Sequence, residues 1–152
     1  MVTVSDTRGP ADDSSGDRAQ SLLESAGHAV VARRWCGDDV GAIRRLAREL
    51  LADPLLDALI VTGGTGVAPR DVTPEALAPL VEVPLEGFGE RFRARSERQV
   101  GSAAWLSRAA AGLHEGRLIV MLPGSTRAVE LALEELVIPE LGHVLRLTGR
   151  MT

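Results

Sequence analysis

Ala58-Leu-Ile-Val-Thr-Gly-Gly-Thr-Gly-Val-Ala-Pro-Arg-Asp-Val-Thr-Pro-Glu-Ala76 joins an apolar run to a glycine-rich turn, an Arg-Asp pair and the start of a helix. Leu59, Ile60 and Val61 end in β-branched residues, the pattern of a strand buried on both faces of a parallel sheet. Gly63, Gly64 and Gly66 lack a Cβ, so the backbone is able to adopt positive φ and bring its N–H groups close to a ligand. Thr73, Pro74 and Glu75 read as N-cap, first helical residue and first-turn acid. Ligands of open α/β sheets bind at such carboxyl ends of strands, so the stretch reads as a phosphate-handling turn, with a plain strand-to-helix connection as the alternative.

The residues around this turn exclude two common nucleotide motifs. The chain contains no lysine, and all seventeen basic side chains are arginine. A P-loop needs a lysine after its second glycine, and here Val67 follows Gly66. The dinucleotide fingerprint G-x-G-x-x-G fails as well, because Gly63 and Gly64 are adjacent and Gly66 stands alone.

At 152 residues and a net charge of −4, the chain predicts one acidic domain spanning 1–152. Its arginines are scattered, which argues against nucleic acid or an anionic membrane as main partner. No stretch is apolar enough for a membrane span, and the first residues lack a signal core, so the expectation is a cytoplasmic protein. Only three residues precede the strand-ending Val4, which leaves a truncated start open. Cys36 is alone, so it forms no internal disulfide, and with His28, His114 and His143 it offers no metal cluster. It reads as a small buried hydrophobe rather than a nucleophile.

Strand and helix patterns alternate, which predicts a three-layer α/β/α sandwich around a mostly parallel, doubly wound sheet. Val2–Val4 is the first strand, followed by a polar loop over 5–15. Ala19, Leu22, Leu23 and Ala26 mark one helix face that ends at Gly27. Ala29–Trp35 reads as the second strand. Asp38 or Asp39 then caps a helix whose buried stripe is Val40, Ile43, Leu46, Ala47 and Leu50. Residues 58–62 form the third strand, and 87–111 read as two helical segments broken near Gly101. Leu118–Leu122 is a second fully apolar strand, ending in Pro123-Gly124-Ser125 and a helix that carries Val129, Ala132, Leu133 and Leu136. Two strand-turn-helix units therefore point their turns at one crevice.

Taken together the turns resemble the MoaB/MogA family of molybdenum-cofactor biosynthesis, and are closer to MoaB. The resemblance rests on Thr-Val-Ser-Asp at 3–6, Ser-Gly at 15–16, Gly-His at 27–28 and Gly-Asp-Asp at 37–39. It continues through Thr-Gly-Gly-Thr-Gly at 62–66, Arg-Asp-Val-Thr-Pro-Glu-Ala at 70–76, Gly-Phe-Gly-Glu at 87–90, Leu-Ser-Arg-Ala at 106–109 and Leu-Pro-Gly-Ser at 122–125. Each motif is weak alone; their order and spacing are specific.

The resemblance implies a molybdopterin adenylyltransferase that uses ATP and magnesium and releases pyrophosphate. Such a transfer needs positioning and charge neutralisation more than covalent help, and magnesium suits one or two carboxylates plus substrate phosphates. Asp38 and Asp71 match the family's two functional aspartates, as catalytic and magnesium-holding residues, with Asp39 open as a substitute for Asp38. Gly63, Gly64, Thr65, Gly66, Pro123, Gly124 and Ser125 would bind nucleotide, Ser125 being equally readable as a helix cap. Ser5, Asp6 and Ser107 would face molybdopterin. Arg70 and Arg108 are candidate anion contacts, and Glu90 a candidate assistant to the metal or an anchor of its own turn. The family commonly has proline where Gly37 stands, which implies a looser loop here. It also implies a homotrimer or homohexamer, with apolar surface sought around 103–111 and 129–137. A molybdopterin-binding or scaffolding protein without turnover is the alternative.

Overall fold

The computed structural model describes residues 1–7 and 9–150. Six strands form one sheet: β1 (Val2–Val4), β2 (Arg34–Cys36), β3 (Ala58–Thr62), β4 (Val83–Pro84), β5 (Ala110–His114) and β6 (Arg117–Leu122), in the spatial order β2-β1-β3-β6-β5-β4. The first four positions in that order are parallel, while β5 and β4 extend the edge antiparallel.

The two central strands explain their unbroken apolar sequence. Successive side chains of a strand point to opposite faces, so Ile60, Leu118, Val120 and Leu122 enter one core while Leu59, Val61, Ile119 and Met121 enter the other. Helices α1 (Ser14–Ser25), α4 (Glu86–Val100), α5 (Thr126–Ala132) and α6 (Ile138–Leu147) supply Ala19, Leu23, Phe92, Val129 and Leu145 to the first core. Helices α2 (Val40–Leu51) and α3 (Thr73–Leu77) close the second with Ile43, Ala47, Ala76 and Leu77. The three layers are those the sequence predicts. Helices α5 and α6 run on through a π turn, Leu133–Val137, just ahead of Pro139, whose missing N–H interrupts the regular ladder. No helix among the described residues is long and apolar enough to cross a membrane.

Three local expectations differ from the structure. Strand β2 spans only Arg34–Cys36, because its register with β1 covers those three residues and leaves 29–33 without a neighbouring strand. Thr73 is not a cap: α3 begins at Thr73, and its hydroxyl donates to the Gly63 carbonyl at 2.8 Å. The second helical segment of 87–111 is a 3-10 turn, Gly101–Leu106, followed by β5. The hairpin from β5 to β6 turns at Glu115 (φ 46°) and Gly116 (φ 78°), the paired positive φ of a two-residue turn that suits strand twist.

Asp13 ties the first layer to the sheet edge. Its carboxylate is buried and caps α1 by accepting from the Gly16 amide at 2.9 Å, and it also accepts from Thr3 Oγ1 at 2.6 Å, Ser15 Oγ at 3.1 Å, Trp35 Nε1 at 3.0 Å and Arg33 Nη2 at 3.1 Å. Burial alone pushes this carboxyl up, but the bonds from Thr3, Gly16, Ser15 and Arg33 outweigh it and hold the group below the ordinary carboxylate range. A carboxyl depressed in the folded state stabilises the fold above its unfolded value and loses that contribution as pH falls through the folded one.

Asp13→Asn is expected to destabilise the protein by about 3 kcal/mol, since it leaves buried donors facing an amide. The loss should shrink as pH drops below about 4, the unfolded Asp value, where wild type loses the same contribution. Urea melts at pH 7 and pH 3, followed by Trp35 fluorescence in a Trp105→Phe background, check both; equal differences at the two pH values would sink the assignment.

Gly63, just past the end of β3, lies hard against the end of β1. With φ at +100°, a Cβ built on it would lie 2.1 Å from the Val4 carbonyl oxygen. Gly63→Ala therefore combines backbone strain with overlap against main chain and is expected to lower stability by about 3 kcal/mol, a fall in Tm on the order of 10 °C. Gly87→Ala is the control: it sits in α4 with nothing near the added atom, and should raise stability by about 0.5 kcal/mol or more. Calorimetric melting separates the two signs.

Candidate functional site

The loops leaving β1, β2, β3 and β6 meet at the carboxyl ends of the four parallel strands. They enclose a polar cleft of about 200 Å³ whose walls include Ser5, Asp6, Asp38, Gly64, Asp71 and Gly124. Gly63 and Arg70 line it as well.

The glycine-rich turn is built with a polarity. Each of its carbonyls is tied back into the protein: Gly63 O accepts from Thr73 Oγ1 at 2.8 Å and Gly64 O from the Thr73 amide at 3.0 Å. Thr65 O accepts from the Arg108 amide at 2.9 Å, and Gly66 O from Arg108 Nε at 2.7 Å. By contrast, the amides of residues 64–67 have no acceptor among the described residues. Carbonyls held inward and amides left over make a run of donors at a strand end, the arrangement that suits an anion. Gly64 also has positive φ, +64°, and a Cβ there would meet Thr73 Oγ1 at 2.5 Å and Asp38 Oδ1 at 3.2 Å. Gly66 does not share the positive φ expected of it; its backbone lies against the Asp71 carboxylate instead.

Three carboxylates face this turn. Asp39 is the cap of α2, accepting from the Ala42 amide at 2.7 Å, which leaves Asp38 as the one of the pair that lines the cleft. Asp38 and Asp6 hold one another: the Asp38 amide donates to Asp6 Oδ1 at 2.9 Å, and the Asp6 amide donates to Asp38 Oδ2 at 3.2 Å. Gly37 permits the approach, since a Cβ at that position would lie 2.7 Å from Asp6 Oδ1. Asp71 folds its own loop, accepting from the Ala68 amide at 2.9 Å while its amide donates to Ala68 O at 2.8 Å. Burial, and then the neighbouring Asp6 charge, push the Asp38 carboxyl above its ordinary value, with Asp71 adding to them against the Asp6 amide and Arg70. Burial and the Asp38 and Asp39 charges also push the Cys36 thiol up, away from thiolate chemistry.

Other anticipated residues sit elsewhere. Thr65 is 2 % exposed, its hydroxyl has no partner among the described residues, and its side chain is not on the cleft wall. Ser107 follows the 3-10 turn in extended backbone, outside any helix, and accepts from the Ala109 amide at 3.3 Å. It lines a second, mostly apolar cavity of about 420 Å³ with Phe92, Ser96, Pro123 and Ser125. Ser125 caps α5, its Oγ accepting from the Ala128 amide at 3.3 Å. Glu90 lies in a third cavity, beside Arg93 and Arg108, away from the aspartates. Arg108, expected as an anion contact, is engaged by protein carbonyls and by Glu75. The Asp6–Asp38 exchange and the Arg108 clamp were not anticipated, and neither has a local sequence signal.

Among the described residues no three His, Cys, Asp or Glu side chains form a metal cage by themselves. Magnesium ordinarily takes one or two carboxylates and completes its shell with substrate phosphates and water. Asp38 and Asp71, on one cleft with Gly63 and Gly64 of the turn, fit such a donor set.

Known proteins resemble this chain over nearly its whole length. The family model described as "Probable molybdopterin binding domain" matches residues 1–143. Molybdenum cofactor biosynthesis protein B of Bacillus subtilis (strain 168) is 46% identical over 147 residues, covering 96% of this chain and 86% of its own. The same-named protein of Staphylococcus carnosus is 45% identical over 148 residues, covering 95% of this chain and 86% of its own. A crystal structure of a molybdenum cofactor biosynthesis protein B superposes with a TM-score of 0.94 at 39% identity, covering 99% of this chain and 94% of the other. The tungsten cofactor synthesizing protein MoaB from Pyrococcus furiosus superposes at 0.86 with 35% identity, covering 98% and 94%. The chain belongs to the MoaB/MogA family of molybdenum-cofactor biosynthesis, among the proteins called B.

Proposed function

We propose that this protein, within molybdenum-cofactor biosynthesis, transfers AMP from ATP to molybdopterin. The observation that carries the reading is the polarity of the glycine-rich turn, four carbonyls bonded inward and the amides of 64–67 left over, with Gly63 and Gly64 of that turn lining one cleft with Asp6, Asp38 and Asp71. In the reaction an oxygen of the molybdopterin phosphate attacks the α-phosphorus of ATP, the bond from that phosphorus to the bridging oxygen breaks, and pyrophosphate leaves.

The residues divide that work. Amides of the turn, with Arg70, bind the triphosphate oxygens as donors whose orientation is fixed before the substrate arrives. Asp38 and Asp71 would hold magnesium, and Asp6 orients Asp38 through the paired amide contacts. Magnesium, when bound, supplies positive charge between the carboxylates and the phosphates. Gly124 lines the phosphate cleft while Pro123 and Ser125 line the apolar cavity, so one short turn separates a site for charge from a site for a flat ring system. The apolar cavity, with Ser107 on its wall, is the place for a ring of one substrate.

Self-association belongs to the same reading. Val129, Leu133 and Val137 are buried in the protomer, so the surface sought near them is core. In the other segment, 103–111, Trp105 and Leu106 are exposed and with Val100 supply an apolar patch. Sedimentation is expected to give a trimer or hexamer, and Trp105→Asp to move it toward the monomer; a monomeric wild type would end this part of the reading.

Pyrophosphate release from ATP in the presence of purified molybdopterin and magnesium tests the activity. Wild type should turn over only with both additions, and Asp38→Ala and Asp71→Ala should each lower kcat by about 100-fold or more while still folding. Pterin binding without pyrophosphate release in wild type would make this a binding protein of the pathway.

A further inference from the structure

Arg108, two residues before β5, directs most of its donors to main chain of the glycine-rich turn and the aspartate loop. Its amide donates to Thr65 O at 2.9 Å and its Nε to Gly66 O at 2.7 Å. Nη2 donates to the carbonyl of Asp71, and Nη1 pairs with Glu75 in the first turn of α3. The bond from Arg108 holds the exposed Glu75 carboxyl below its ordinary value. One residue thus grips the second half of the glycine-rich turn, the aspartate loop behind it and the helix that follows.

We infer that Arg108 is a positioning residue for the anion site: by holding the carbonyls of Thr65, Gly66 and Asp71 it fixes the far half of the turn, and so the placement of Gly64 and the Asp71 carboxylate in one cleft. The inference rests on the reading of that cleft as a nucleotide site. A guanidinium is suited to the task because its planar fork serves two carbonyls and a carboxylate at once, without losing its charge. Lysine carries one point of donation and cannot span Gly66 O and Asp71 O together. The backbone contact to Thr65 survives any side-chain change, so substitution frees Gly66 and the 70–71 segment first.

Two measurements on the full chain test this, with Arg108→Gln, Arg108→Lys and Glu75→Gln. Calorimetric titration with ATP and magnesium, without pterin, is expected to show Kd raised at least about tenfold in both Arg108 variants and within threefold of wild type in Glu75→Gln. Deuterium uptake over 64–71 should rise in both Arg108 variants while uptake in β3 and β6 stays as in wild type. A residue that only stabilises the fold would show the opposite pattern: Arg108→Lys would restore wild-type Kd, or uptake would rise throughout the sheet. Either of those results overturns the inference, as does a folded Arg108→Gln with ATP affinity within threefold of wild type. Absence of ATP binding in wild type would overturn the proposed function separately; the exchange over 64–71 then decides the clamp alone, and unchanged uptake in the Arg108 variants refutes it.

Discussion

Where β1 and β3 leave the sheet, the Gly63 backbone rests against the Val4 carbonyl at a distance that excludes a side chain. The two strands are neighbours, Val2 paired with Val61 and Thr3 with Thr62, so this contact sets how closely their outgoing loops approach. Because they converge, Asp6 from one loop and Gly64 from the other share a cleft. The chain then turns through two successive residues of positive φ, which inverts the peptide groups relative to the strand. Thr73 and Arg108 complete the inversion by taking the carbonyls that the turn exposes. Donor polarity at this site is therefore a consequence of the close approach of two parallel strand ends, with the hydrogen bonds fixing what that approach permits.

The same convergence creates an electrostatic problem. Asp6, Asp38 and Asp71 share the cleft, and Arg70 is the one arginine among its described lining residues. Like charges this close disfavour one another's ionised forms, as the upward push on Asp38 by burial and by Asp6 records. An anionic ligand brought to this cleft meets that field; the chain has no lysine, and among the described residues Arg108 is engaged as a clamp on carbonyls. In the proposed nucleotide reading, a bound cation would supply positive charge between these carboxylates and the ligand. This is why the acidic cleft and the amide run make chemical sense together and neither does alone.

Features decided within a few residues of chain were legible in the sequence, and features decided across the fold were not. Strand β3 and the end of β6 could be placed because burial on both faces leaves an unbroken apolar run, and Gly63 and Gly64 could be assigned to a turn because no other residue fits there. Asp38 and Asp39 are equivalent as caps in one dimension; Asp6, 32 residues away, distinguishes them by pairing with the first. Thr73 has the sequence of a cap, yet a carbonyl ten residues back competes for its hydroxyl and wins. The Ala-rich segment before Gly116 favours helix by propensity, and pairing with β6 along its whole length overrides that preference. The Arg108 clamp spans 42 residues to Gly66 and 37 to Asp71, which no local pattern encodes.

The antiparallel edge that propensity conceals turns out to bear on the site. Ala110 to His114 pairs residue for residue with β6, and β6 in turn pairs with β3, so β5 is fixed to the central sheet through backbone bonds. Arg108 stands two residues before β5, with Arg93 of α4 donating to the carbonyls of Ser107 and Ala109 on either side of it. Its guanidinium is thus delivered from a framework held on two sides, and it reaches a turn that would otherwise be anchored only at its start. A purely parallel sheet ending at β6 would carry the same cleft and the same glycines but nothing to hold the carbonyls of Thr65, Gly66 and Asp71. In this fold the added hairpin holds the turn from the side of β3 opposite the one where β1 lies.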